Sequence, residues 1–265
     1  MPAMPEPTAP PRLSVVIVAK NEARNITDCV RSAAFAGEVL VLDSGSGDAT
    51  VQLAQQAGAR VVQTADWPGY GPQVARGFSL AASDWVLSLD ADERISTALR
   101  DEVLAALRSG AHDGYRIPRL SEFCGRFIHH GGWRPDYTLR LGRRARSGFT
   151  DHFLHAHMTV DGSVGALKQS LIHFSYPNLH DVLEKLDRYS SGNARDMHSA
   201  GKRGSMFKAV THGLMAFLRT YLVRLGFLDG QHGLMLAIYN AEYTYYKYIK
   251  LMHLQSPPKR PEFRG

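Results

Sequence analysis

Cysteine is scarce in this chain. There are two in 265 residues, Cys29 and Cys124, and no CxxC pair. No disulfide framework is implied, which suits a reducing cytoplasm. Long apolar runs are missing too: none approaches the ~18 residues of a membrane span. The opening MPAMPEPTAPPR is proline-rich without the apolar core of a signal peptide, and 1–12 reads as a disordered lead-in. The GxxxxGK[ST] of a P-loop is absent. The turn after the first apolar run, AKNEARN, holds no glycine, which excludes a dinucleotide fingerprint. The net charge is +6, yet no nucleic-acid-binding motif accompanies it, so nucleic acid is not an expected partner. An anionic substrate or membrane face is the better match.

What is present is an alternation. LSVVIVA (13–19), EVLVLD (38–43), ARVVQ (59–63), WVLSLD (85–90) and GYRIP (114–118) read as buried strands. Helices fit between them. One spans about 23–36 and stops at Gly37, and a second is capped by Asp48 and ends at Gly58. A third has Pro72 in its first turn, and a fourth is capped by Ser96 or Thr97 and ends at Gly110. This spacing predicts an open, mostly parallel α/β sheet with right-handed crossovers. From 119 to 176 short strand-like pieces rich in Gly, Arg and His replace the alternation. Helices are expected over 179–200, 205–225 and 233–253, with a loose tail over 255–265.

Three polar clusters follow three of the strands: Lys20 to Glu22, Asp43 to Asp48, and Asp90 to Glu93. In an open α/β sheet these fall on the carboxyl rim, where ligands bind. Asp90 and Asp92, two apart in extended backbone, project to one side. Their repulsion needs a positive partner. A divalent cation, Mg²⁺ or Mn²⁺, carrying a nucleotide diphosphate would supply it.

In order and spacing, SVVIVAKNEARNI, VLVLDSGSGDAT and DWVLSLDADE resemble the family two glycosyltransferases of GT-A fold, inverting enzymes that use nucleotide-sugar donors. GYRIPR, FCGRFIHHGGWRPDYTLRLGRR, LIHFSYP, KLDRYS and GFLDG are similar to one subgroup, the bacterial lipopolysaccharide inner-core β-1,4-glucosyltransferases. The resemblance runs from Leu13 to Leu251. It implies a GT-A domain over 13–176, with a nucleotide-sugar half (13–118) and an acceptor and metal half (119–176), then a helical extension over 177–254. Glu22 and Asp43 would contact uracil and ribose, and Asp90 the ribose or the metal. Ala19, Asn21, Ser44, Gln73, Arg76 and Ala91 would complete the nucleotide-sugar site. Asp92 would bind the metal directly, with His173 completing its site. The implied reaction moves a hexose, glucose from UDP-glucose foremost, to an inner-core heptose. Another lipid-linked or capsular acceptor is an alternative, as is a nucleotide-sugar-binding protein that has lost catalysis.

The pattern breaks at one position. The subgroup's glutamate base is replaced by Ala156 in FTDHFLHAHMTV. Asp151, His155 and Asp136 are the candidate bases, with His152 and His157 nearby; imidazole has a suitable intrinsic pKa. Zinc bound by the H-x-x-H-x-H lacks supporting ligands. Arg126, Arg134, Arg140, Arg143, Arg144 and Arg146 cluster in the middle segment, and arginine suits phosphate recognition. Trp133, Arg134 and Arg140 are therefore expected against the acceptor, a phosphorylated core lipid. Aromatic and basic residues on the last helices suit a membrane interface. The expected location is the cytoplasmic membrane's inner face, as a peripheral protein.

Overall fold

The computed structural model describes residues 12–150 and 157–256. Within them the chain divides into two compact units, 12–120 with 135–173 and 121–134 with 174–256.

The first unit is built on β1 (Leu13–Ala19), β2 (Glu38–Asp43), β3 (Arg60–Gln63) and β4 (Trp85–Asp90), separated by α1 (Ile26–Ser32), α2 (Thr50–Gln56) and α3 (Tyr70–Leu80). There follow β5 (Glu93–Arg94), α4 (Thr97–Ser109), β6 (Gly114–Phe123), β8 (Asp136–Arg143), β9 (Ser147–Phe149), β10 (Met158–Val160), β11 (Val164–Ala166) and β12 (Leu171–Tyr176), while β7 (Arg126–Phe127) lies in the 121–134 stretch of the second unit. Strands β3, β2, β1 and β4 lie side by side in parallel. The expected parallel arrangement stops there. Strand β8 pairs antiparallel with β4, and β6 antiparallel with β8. The GYRIP strand therefore joins the sheet beyond an intervening strand, and it is longer than the sequence suggests.

Alternation along β1 feeds two apolar layers. Val15 and Ile17 pack with Ile26, Val30, Leu99 and Val103 of α1 and α4. Val16 packs on the other face with Val74 and Phe78 of α3. Helix α3 crosses β1 so closely that a Cβ on Gly77 would lie 2.3 Å from Val16 Cγ1; only glycine permits that approach. Helix α4 has both expected ends: the Ser96 hydroxyl accepts from Leu99 N–H, and Gly110 closes it at φ 58°.

The second unit contains α5 (Leu179–Ser199), α6 (Met206–Leu218) and α7 (Gly230–Gln255). The stretch 121–134, read above as part of an acceptor half, packs with them. Phe123 and Ile128 are buried with Val182, Leu186, Leu236 and Tyr239, and Trp133 lies against this cluster. The single helix expected over 205–225 is interrupted. Helix α6 ends at Leu218 and becomes a π-helical turn, Arg219–Val223. Leu225 then takes φ 57°, and Gly226 abuts the start of α7. Nothing in the composition marks this break, because no proline stands there.

Asp229 fixes the same region. Its buried carboxylate accepts from His129 N–H at 3.1 Å and His130 N–H at 2.7 Å, and lies 3.2 Å from His130 Nδ1. Asp229→Ala leaves two backbone donors without their acceptor. It should lower unfolding free energy by about 2–4 kcal/mol. Urea denaturation checks this; a loss under about 0.5 kcal/mol would contradict it.

Candidate active site

Parallel register sets Ala19 beside Asp43 and Val18 beside Asp90. The loops after β1, β2 and β4 therefore share one rim, as the alternation predicts. The first two are laced together. Asn21 adopts φ 56°, a conformation asparagine tolerates better than most residues. Its side-chain oxygen accepts from Gly47 N–H at 2.9 Å, and its own N–H donates to Ser46 Oγ at 2.9 Å. Glu22 N–H donates to Thr50 Oγ1 at 2.7 Å, and Ala23 N–H to Asp48 Oδ2 at 3.1 Å. The Glu22 carboxylate accepts from Asn25 Nδ2 at 2.8 Å. Ala19 and Ala91 are buried at the rim.

Asp43 is fully buried. It accepts from the N–H groups of Gly45 and Ser46 at 3.1 and 3.0 Å and from the Ser46 hydroxyl, so it shapes its own loop. Gln73, also buried, donates to Ser44 Oγ at 3.2 Å and Thr64 Oγ1 at 2.7 Å. Arg76 is drawn into an ion pair with Asp66 at 2.8 Å and donates to Gln73 Oε1 at 3.1 Å. A phosphate contact from Arg76 would compete with that pair.

The positive partner of the acidic cluster is partly the protein's own. Arg140 is buried, and its Nη2 lies 2.6 Å from Asp90 Oδ2 and 2.9 Å from Glu93 Oε1. The Tyr70 hydroxyl donates to the other Asp90 oxygen, and Asp90 N–H donates to Glu93 Oε2 at 3.0 Å. Burial alone would raise the Asp90 pKa, but the Arg140 charge and the bonds from Arg140 and Tyr70 outweigh it and hold Asp90 far below the usual carboxylate range. Glu93 goes the other way: burial pushes its pKa up, more than Arg140 pulls it down. Burial and the Asp90 charge push the Tyr70 phenol up. Arg140, expected against the acceptor, is instead engaged by the fully buried Glu93 and by Asp90, whose side chain is 26% exposed. Cys29 is a core thiol beneath this cluster; burial pushes its pKa up and its sulfur donates to the Asp90 carbonyl.

Asp92 stands apart from that network. Strand β12 pairs with β5, placing His173 opposite Glu93. His173 Nε2 lies 3.5 Å from Asp92 Oδ2, and the two side chains are 15% and 24% exposed. Residues 81 positions apart are thereby brought together at the rim. A carboxylate oxygen and an imidazole nitrogen are a donor set suited to Mn²⁺ or Mg²⁺. Among the described residues no group of three or more His, Cys, Asp or Glu could hold a metal. Two protein donors leave positions for diphosphate oxygens and water, so these residues fit a metal that arrives with its substrate.

The other expected residues fall elsewhere. Asp136 Oδ2 takes two bonds from Arg119, Nε at 2.9 Å and Nη2 at 2.5 Å. In the second unit, Trp133 stacks edge-on to Phe123 at 5.6 Å, and Arg134 Nη1 lies 2.9 Å from His129 Nδ1. Asp151, His152, His155 and Ala156 lie outside the described residues. Residue spacing did not point to Tyr70, or to Arg140 as the partner of Glu93; both are joined to the acidic cluster only by folding.

The family model described as glycosyl transferase family 2 matches residues 14–161. The chain belongs to that family: it is a glycosyltransferase of GT-A fold. It is 29% identical over 258 residues to the lipopolysaccharide core biosynthesis glycosyltransferase LpsC of Rhizobium meliloti, covering 94% of this chain and 95% of that one. It is 29% identical over 238 residues to an uncharacterized glycosyltransferase of Rickettsia felis, covering 84% and 83%. Among solved structures, S. aureus TarS 1–349 aligns over 93% of this chain and 92% of that one, at 16% identity and a TM-score of 0.49.

Proposed function

We propose that this glycosyltransferase is metal-dependent and inverting, and moves a hexose, glucose from UDP-glucose foremost, to a heptose of the lipopolysaccharide inner core. The observation that carries the reading is Asp92 beside His173 at the rim, Asp92 being the second member of a D-x-D whose first member is anchored by Arg140. The similarity to LpsC across nearly the whole chain supports the acceptor class. The working location would be the cytoplasmic membrane's inner face, where such an acceptor is anchored.

Asp92 and His173 would hold the cation, which when bound neutralises charge growing on the diphosphate leaving group. The laced loops around Asn21 and Asp43 would position the nucleoside. The acceptor oxygen bonds to the anomeric carbon as the carbon–oxygen bond to the diphosphate breaks. The hydroxyl proton passes to a base on the opposite face. Asp151 and His155 are the favoured candidates, since Arg119 already occupies one oxygen of Asp136.

The test offers a panel of labelled UDP-sugars to heptose-terminated lipopolysaccharide, with Mn²⁺ or Mg²⁺ and with EDTA. Incorporation from UDP-glucose, abolished by EDTA and restored by added metal, is expected. Transfer that persists in EDTA would overturn the metal assignment. Transfer only to a capsular or other lipid-linked acceptor would overturn the core assignment.

A further inference from the structure

Helix α6 is amphipathic in the reverse sense to a helix bathed in water. The residues it turns inward are small. Ala209 and Gly213 are buried, and a Cβ on Gly213 would lie 3.3 Å from the Ala241 carbonyl of α7. Small residues one turn apart let two helix backbones approach closely. The bulky apolar residues stand on the opposite face. Phe207, Val210 and Leu214 follow the spacing of one helix face, and Phe207 is 77% exposed. Met215 is exposed beside them, and in the π-helical turn that follows, Val223 is 75% exposed. Large apolar side chains gathered on a surface mark a face that is covered in the working protein.

Charge decides what covers it. From Met197 to Leu228 there are five cations, Lys202, Arg203, Lys208, Arg219 and Arg224, and no Asp or Glu. A second copy seated by twofold symmetry would set these cations against their own counterparts. An anionic lipid surface attracts them. No helix of the described residues is long and apolar enough to cross a membrane, so the face has the character of a segment lying in the interface.

We infer that α6 and the turn after it dock on an anionic bilayer. Phe207, Leu214 and Val223 enter the acyl boundary while Lys208 and Arg219 meet headgroup phosphates. The inference rests on the proposed function for its sense, since a lipid-borne acceptor calls for a membrane-docked transferase, but its test requires no sugar transfer.

The test is flotation of the full chain with phosphatidylglycerol–phosphatidylethanolamine vesicles and with phosphatidylcholine vesicles. Binding to the first at about 0.1 M salt, weakened at about 1 M, and little binding to the second are expected. The double variant Phe207→Ser, Val223→Ser should partition at least about tenfold less. Lys208→Gln should partition about fivefold less. All three positions are exposed, and circular dichroism is the check that the variants are folded. Parent protein that floats with neither vesicle, or a double variant that floats like the parent, overturns the inference. So does a dimer that the double variant dissociates without any vesicle binding, which would give the face to a second copy. Core glycosylation without vesicle binding would leave the proposed function standing alone. Vesicle binding without glycosylation would leave the docking face standing alone.

Discussion

Asp92→Ala is expected to lower sugar transfer on the order of 10³-fold or more while the protein stays folded. The two halves of that expectation have separate causes. Asp92 is a partly exposed carboxylate whose neighbour His173 sits 3.5 Å away, outside the Arg140 network. Removing it opens no large cavity and strands no buried charge, so the stability change should stay within roughly 1 kcal/mol. In the proposed mechanism it holds the cation that stabilises the leaving diphosphate, an effect of several kcal/mol in the transition state. Steady-state transfer and thermal melting on the same preparation give both numbers. A variant with near-parental transfer removes Asp92 from the metal site. One that melts far below the parent shows Asp92 to be structural.

Arg140→Met is expected to act on stability. The methionine fills much of the space but leaves Asp90 and Glu93 without their buried cation. Removing one partner of a buried ion pair costs about 3–5 kcal/mol, chiefly because the remaining charge is uncompensated. Guanidinium unfolding should show that loss. The same substitution in a Glu93→Gln background should cost less, since one of the stranded carboxylates is already neutral. A single-variant loss under about 1 kcal/mol would mean that water reaches Asp90 and Glu93 and that the pair is not sealed.

These two residues also show how far the sequence could be read. Strands β1, β2 and β4 were legible because both their faces are buried, and they appear as largely apolar runs ending in polar clusters. Helix α4 was legible because Ser96 and Gly110 mark its ends chemically. The partner of Asp90 and Glu93 was not. Arg140 is one arginine among six in its region, and only the antiparallel insertion of β8 beside β4 turns it inward. No local pattern in the sequence marks it. Nothing in spacing joins His173 to Asp92 either; the family resemblance paired them, and the contact arises from a two-residue bridge between β5 and β12. The break after Leu218 has no signature in the sequence because it is made by close backbone contact at Gly226 rather than by a helix-breaking side chain.

The lacing of the β1 and β2 loops has a thermodynamic consequence. Asn21, Ser46 and Asp48 bond backbone groups across the two loops before any ligand arrives. The freedom that flexible loops surrender on complex formation, on the order of 0.5–1.5 kcal/mol for each side chain immobilised, is here surrendered during folding. On the proposed function, a nucleotide reaching this rim meets loops already bonded to one another, so calorimetry should find only a small entropic penalty from these two loops.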